Sequence, residues 1–175
     1  MNHKCLRIGL SVLLLLTALT ATDEPGAPTA LIGAQDRKPA PNFALKDSTG
    51  KTASLRDYAD RILVVDFWAT WCTGCKQEIP WFAEYQKRYG QSGLSIVGVA
   101  MDDGGWKVVN PFLSEHPVPY RMVLGDEETA KKYGIHNLPD TFVIDRHGKI
   151  AAVYQARLVD RDELEASIKK LISEK

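Results

Sequence analysis

The sequence predicts an α/β fold: a central mixed β-sheet flanked by helices, with a β-hairpin extension at the N-terminal end. Three observations carry that expectation. Residues 61–67 (RILVVDF) and 94–100 (LSIVGVA) are near-continuous apolar runs rich in β-branched side chains, as expected of strands covered on both faces. Between them, residues 72–89 read as a helix, and strand, helix, strand is a right-handed crossover unit. Further on, short strands separated by turn residues precede an amphipathic final helix.

In chain order, Lys4 and Arg7 open a short basic region, and an apolar run follows from Ile8 to about Ala21. This is the layout of a secretory signal, and the run falls short of the roughly 20 apolar residues that span a bilayer. Residues 1–22 are therefore expected to be a signal peptide, with an N-terminal membrane anchor as the alternative. Cys5 precedes the apolar run and would leave with the signal. Residues 23–41, rich in Pro, Ala, Gly and Thr, are expected to form a flexible linker.

The folded domain is expected over 42–175. In NFALKDSTGKTASL, two short segments flank a hairpin turn around 47–51. Helices are expected over 106–115 and 127–133, the second capped by Asp126. Strands are expected at 121–124, 141–144 and 150–154, the last two joined by a turn over 145–149. The final helix starts after Asp160, with Glu163 three residues on as in a capping box, and places Leu164, Ile168 and Leu171 on one face.

The 175 residues suit one domain plus extras. Basic and acidic side chains balance at 22 each, so the clustered basic excess that neutralises nucleic-acid phosphates is missing. No nucleic-acid partner is expected.

The chemistry concentrates in WATWCTGCKQEIPWF, residues 68–82. Cys72 and Cys75 at a helix start share one face, with a Cα separation of about 5 to 6 Å that lets a disulfide close and open. At the helix N-terminus Cys72 meets unpaired N–H groups and the positive end of the dipole, which lower a thiol pKa from about 8.5 toward roughly 3.5 to 7.5. Cys72 is therefore expected to attack and Cys75, the more shielded, to resolve the mixed disulfide. A static disulfide across so small a loop would add little chain-entropy stabilisation. A zinc site would need two more ligands, and His116, His136 and His147 stand singly, so no metal and no cofactor are expected.

Asp66 interrupts the apolar strand, where a charge is costly unless paired or protonated. Glu78 lies three residues after Cys75 on the same helix face, beneath the cysteines. A buried carboxyl there would have a raised pKa and could take the proton Cys75 must lose. The alternatives are that Asp66 pairs with a buried lysine and that Glu78 reaches solvent. Pro80 cannot donate to the carbonyl of Lys76 and should kink the helix. Trp71, beside the attacking cysteine, could offer an apolar contact to a partner chain.

DFWATWCTGC followed by KQEIP, and later YGIHNLPDTFVIDRHGKI, resembles the thioredoxin superfamily, most of all its exported TlpA/ResA-type thiol-disulfide oxidoreductases with a redoxin, AhpC/TSA-like domain. The resemblance implies a thioredoxin-like fold with a redox-active Cys72–Cys75 disulfide. It implies that Pro139 is a cis-proline facing the cysteines, and that the backbone of Leu138 pairs with an extended substrate segment. It makes Glu78 the acidic residue under the cysteines and Asp66 the buried aspartate of ordinary thioredoxins. It further implies a place in the periplasm or on the extracytoplasmic face of the membrane, protein thiol or disulfide substrates, a membrane-bound electron donor and a monomer. The roles that follow are redox homeostasis and cytochrome c maturation. Two positions depart from the pattern: Thr73-Gly74 stands where proline usually precedes the second cysteine, and Leu138 where threonine is common.

Three functions compete: an exported disulfide reductase, a thiol peroxidase of the peroxiredoxin type, and a non-enzymatic copper chaperone. The peroxidase needs a threonine or serine three residues before the attacking cysteine, where Ala69 stands. The chaperones of related fold separate their cysteines by three residues, where this chain has two.

Overall fold

A computed structural model describes residues 31–174. The expected signal or anchor, Cys5 and the first residues of the expected linker lie outside them. Strands β1 (Ala44–Lys46) and β2 (Thr52–Ser54) pair antiparallel as the expected hairpin. Asp47 organises its turn by accepting the N–H groups of Thr49 and Lys51, each at 3.0 Å. Arg121 reaches the same carboxylate at 2.7 Å and ties the hairpin to the main sheet.

The main sheet contains β3 (Ile62–Trp68), β4 (Leu94–Ala100), β5 (Arg121–Leu124), β6 (Asp140–Ile144) and β7 (Ile150–Gln155). Their order is β5-β4-β3-β6-β7. β3, β4 and β5 run parallel, while β6 and β7 are antiparallel additions, so the sheet is mixed as expected. Helix α1 (Thr73–Tyr89) makes the crossover from β3 to β4, and Pro80 lies inside it. α2 (Trp106–Glu115) and α3 (Glu127–Tyr133) precede and follow β5, and α4 (Arg161–Ser173) ends the chain. Asp126 and Asp160 cap α3 and α4 by accepting the N–H groups of Thr129 at 2.7 Å and Glu163 at 2.9 Å.

Every residue of β3 is buried because alternate side chains serve two separate cores. Ile62, Val64 and Trp68 meet Ile79, Phe82 and Tyr85 of α1 and Leu164, Ile168 and Leu171 of α4. Leu63, Val65 and Phe67 face the other way, against Tyr133 of α3 and Phe43, Leu45 and Ala53 of the hairpin region. The period of two therefore places Asp66 with the first set, under α1.

Residues 31–41 differ from the expected flexible linker, for they pack on the domain. Ile32 donates to the carbonyl of Ala151 at 2.7 Å, Ile150 to Lys38 at 2.8 Å, and Ala40 to Gly148 at 2.9 Å. Arg37, 6% exposed, pairs with Asp145 at 3.2 Å and Glu174 at 2.7 Å. Backbone bonds and one arginine hold this strap, and neither leaves an apolar period in the sequence. Among the described residues no helix is long and apolar enough to cross a membrane.

Candidate active site

The cysteines sit where the parallel strands β3 and β4 end. There the chain leaving Trp68 is fixed from three sides. Met101 donates to the carbonyl of Trp68 at 2.8 Å, Asp102 accepts the Thr70 N–H at 3.1 Å and its hydroxyl as well, and Cys72 donates to Ala69 at 3.1 Å. Cys72 is the N-cap of α1 and the helix proper starts at Thr73, one position later than the start the sequence suggests, because the Cys72 backbone is extended (φ −78°, ψ 107°). Its Sγ accepts the N–H of Cys75 at 3.1 Å, the bond a capping oxygen would make. The same N–H and the dipole favour a thiolate, and the first turn carries no acidic residue to oppose it.

Cys72 and Cys75 form a disulfide with a Cα separation of 5.3 Å. Cys75 is completely buried, whereas Cys72 keeps 6% of its surface open, so the two thiols differ in access in the sense the sequence suggests. The Leu138–Pro139 bond is cis. Pro139 borders the first turn of α1: a Cβ on Gly74 would lie 3.5 Å from its Cδ. Trp71 is 68% exposed on the rim, and Leu138 is partly buried between the two cores.

Asp66 lies in register with Gly98 on one side and Thr141 on the other. Its Oδ1 accepts the Thr141 hydroxyl at 3.4 Å and its Oδ2 has no protein partner among the described residues, so no lysine pairs with it. Burial pushes the Asp66 carboxyl well above the usual range, and the nearby Glu78 pushes it further. Glu78 is fully buried and does not reach solvent. Its Oε1 accepts the N–H of Val159, while Oε2 is unpartnered among the described residues. Burial raises its pKa to about 7, against the lowering pull of that N–H.

Several contributors leave no local signal in the sequence. The buried Tyr120 hydroxyl has no partner among the described residues, and its pKa is raised well above the usual value by burial, then by Asp66 and Glu78. Asp140, directly after Pro139, accepts the N–H of Ala156 at 2.6 Å. Only this adjacency to the proline could have flagged it. Leu158, 40% exposed, covers Gly74. Among the described residues no group of three or more His, Cys, Asp or Glu side chains could hold a metal ion.

The AhpC/TSA family profile matches residues 37–153. The chain is 34% identical over 122 residues to the thiol-disulfide oxidoreductase ResA of Bacillus subtilis, covering 69% of this chain and 68% of that protein. ResA of Bacillus cereus is 30% identical over 135 residues, 77% of each chain. Among solved structures, a putative thiol:disulfide interchange protein DsbE from Chlorobium tepidum is 31% identical with a TM-score of 0.73, covering 78% of this chain and 97% of that one. The fold is thus thioredoxin-like, with the small two-stranded sheet at its N-terminal end. Profile, relatives and fold agree on one lineage: the chain belongs to the AhpC/TSA family, among its ResA-type thiol-disulfide oxidoreductases.

Proposed function

We propose that the chain is an exported thiol-disulfide oxidoreductase that reduces disulfides in substrate proteins. The observation that carries the reading is a helix N-cap cysteine that keeps 6% of its surface open, paired with a fully buried cysteine, with Glu78 buried on the same helix. In the reduced protein the Cys72 thiolate attacks one sulfur of a substrate disulfide, and the other substrate sulfur leaves as a thiolate. Cys75 then passes its proton to the Glu78 carboxylate and attacks Cys72 Sγ. The second substrate sulfur is expelled, the Cys72–Cys75 disulfide re-forms, and two electrons have moved to the substrate. With a pKa of about 7, Glu78 is poised to accept a proton near neutral pH. Burial and the neighbouring Glu78 both push the Asp66 carboxyl toward its protonated form, and it acts as a second acid behind Glu78.

Trp71, the backbone of Leu138 and Pro139 form the substrate-facing rim. The basic and apolar start of the chain supports export to the periplasm or the extracytoplasmic membrane face, where a membrane-bound donor would recharge the disulfide.

Trapping tests the roles directly. Cys75→Ser is expected to accumulate mixed disulfides through Cys72, and Cys72→Ser to accumulate none. Failure of both variants to capture a substrate would remove the reading. A glutathione titration checks the direction, because a potential near about −120 mV belongs to an oxidant.

A further inference from the structure

The segment linking β7 to α4 is held at both ends by buried carboxyls of the site. At one end Asp140, next to the cis-proline, accepts the N–H of Ala156 at 2.6 Å, and Ala156 takes a left-handed conformation (φ 52°) that a residue other than glycine adopts only when held there. At the other end Glu78, on the cysteine helix, accepts the N–H of Val159. Between them Leu158 lies over Gly74: a Cβ on Gly74 would come 3.0 Å from Leu158 Cδ2 and 3.8 Å from its Cγ. A contact of 3.0 Å is tighter than carbon pairs ordinarily make, so a side chain at residue 74 would push the Leu158 side chain outward by a few tenths of an ångström.

Glycine is a poor helix residue, costing about 1 kcal/mol against alanine in a helix interior. Its presence in the first turn of α1 needs no positive φ, and the close approach of Leu158 supplies the reason for it.

We infer that Leu158, seated on Gly74, is a positioning residue that latches the β7–α4 segment and keeps the Val159 N–H on the Glu78 carboxylate. The inference rests on Glu78 as the proton acceptor for Cys75. Losing the N–H would leave the carboxylate less stabilised, so Glu78 would hold its proton to higher pH and the resolving step would slow at neutral pH. The other titratable groups facing Glu78 are Asp66 from β3, Tyr120 from the stretch before β5, and Cys75 on its own helix. None of them lies in the β7–α4 segment. Leu158 is also partly exposed beside the disulfide, so a bound substrate can press on the latch.

The experiment is a carbon-13 titration of the Glu78 side-chain carboxyl in the full-length reduced chain, with the rate of mixed-disulfide resolution measured across the same pH range. Leu158→Ala should raise the Glu78 midpoint by about one pH unit, the size set by one hydrogen bond to a charged group. Gly74→Ala should raise it in the same direction even though alanine favours the helix. The double variant should move no further than either single one, because both remove one latch. Leu158→Met, which keeps a long apolar side chain over Gly74, should retain the wild-type midpoint. A wild-type midpoint in Leu158→Ala, or additive shifts in the double variant, would overturn the latch. Glu78→Gln separates the two ideas: unchanged resolution rates in that variant would remove the acceptor role, while the midpoints still decide whether the latch exists.

Discussion

The two faces of the central sheet are built to different standards. On the α3 and hairpin face, Phe67, Tyr133 and Phe142 form a three-way aromatic cluster with centroids 5.0 to 5.9 Å apart. The polar tip of that cluster is satisfied, because Tyr133 donates to the carbonyl of Pro41 at 2.8 Å. On the α1 and α4 face lie the buried polar atoms that lack a protein partner among the described residues: Asp66 Oδ2, Trp68 Nε1, Glu78 Oε2 and the hydroxyls of Tyr120, Tyr154 and Ser167. Each such group costs about 1 to 3 kcal/mol when left unmade. Both faces bury apolar cores, but only the second gives up part of its stability to keep acids and a disulfide buried beside each other.

The largest effect should come from the first face. Phe67→Ala removes the centre of the aromatic cluster and should cost about 3 to 5 kcal/mol in urea unfolding of the oxidised chain. Its effect on the reduction potential should be slight. A large shift in potential would show that the two faces are not separable.

The next effect has the opposite sign and comes from the second face. The Glu78 pKa is raised in the fold to about 7 from 4.5, so the folded chain binds this proton more tightly than the unfolded one. The contribution of Glu78 to stability then falls as pH rises from about 4.5 through about 7. Glu78→Gln, which keeps an oxygen for the Val159 N–H, should match wild type at low pH and exceed it above that window by on the order of 3 kcal/mol. The same variant should slow the resolving step by about 100-fold or more. Asp66→Asn should share the sign, with a gain that grows as pH rises above the ordinary carboxylate range. Thermal melts of the three proteins between low and high pH check this, and an unchanged pH slope in both variants would mean that neither acid is strained.

What the sequence could and could not announce follows the same division. β3, β4 and the helix between them are legible because apolar period and length are local properties, and both cores follow from the alternation along β3. The caps at Asp126 and Asp160 are legible for the same reason. The start of α1 is misplaced by one residue because a sulfur, outside the usual Ser, Thr, Asp and Asn set, does the capping. The strap over residues 31–41 hides in a Pro and Ala composition, since backbone hydrogen bonds have no sequence pattern. Tyr120 and Leu158 reach the cysteine helix, and Asp140 reaches the β7–α4 segment, only through tertiary folding, across separations that periodicity does not see.

The smallest stability effect is the most discriminating about function. Trp71 is a large apolar side chain left 68% exposed directly before the attacking cysteine, so truncating it removes almost no buried contact. Trp71→Ala should stay within about 0.5 kcal/mol of wild type in urea unfolding. It should also leave the reduction potential and the rate with a small aromatic disulfide unchanged, since neither depends on a surface beyond the sulfur atoms. With a protein disulfide as substrate, KM should rise several-fold while kcat holds, because an exposed indole adds binding common to ground and transition states. A fall in stability would instead make Trp71 part of the packed face. A fall in kcat with both substrates would place it in the chemistry, and the boundary between packing and recognition would then run inside the α1 turn and not at its rim.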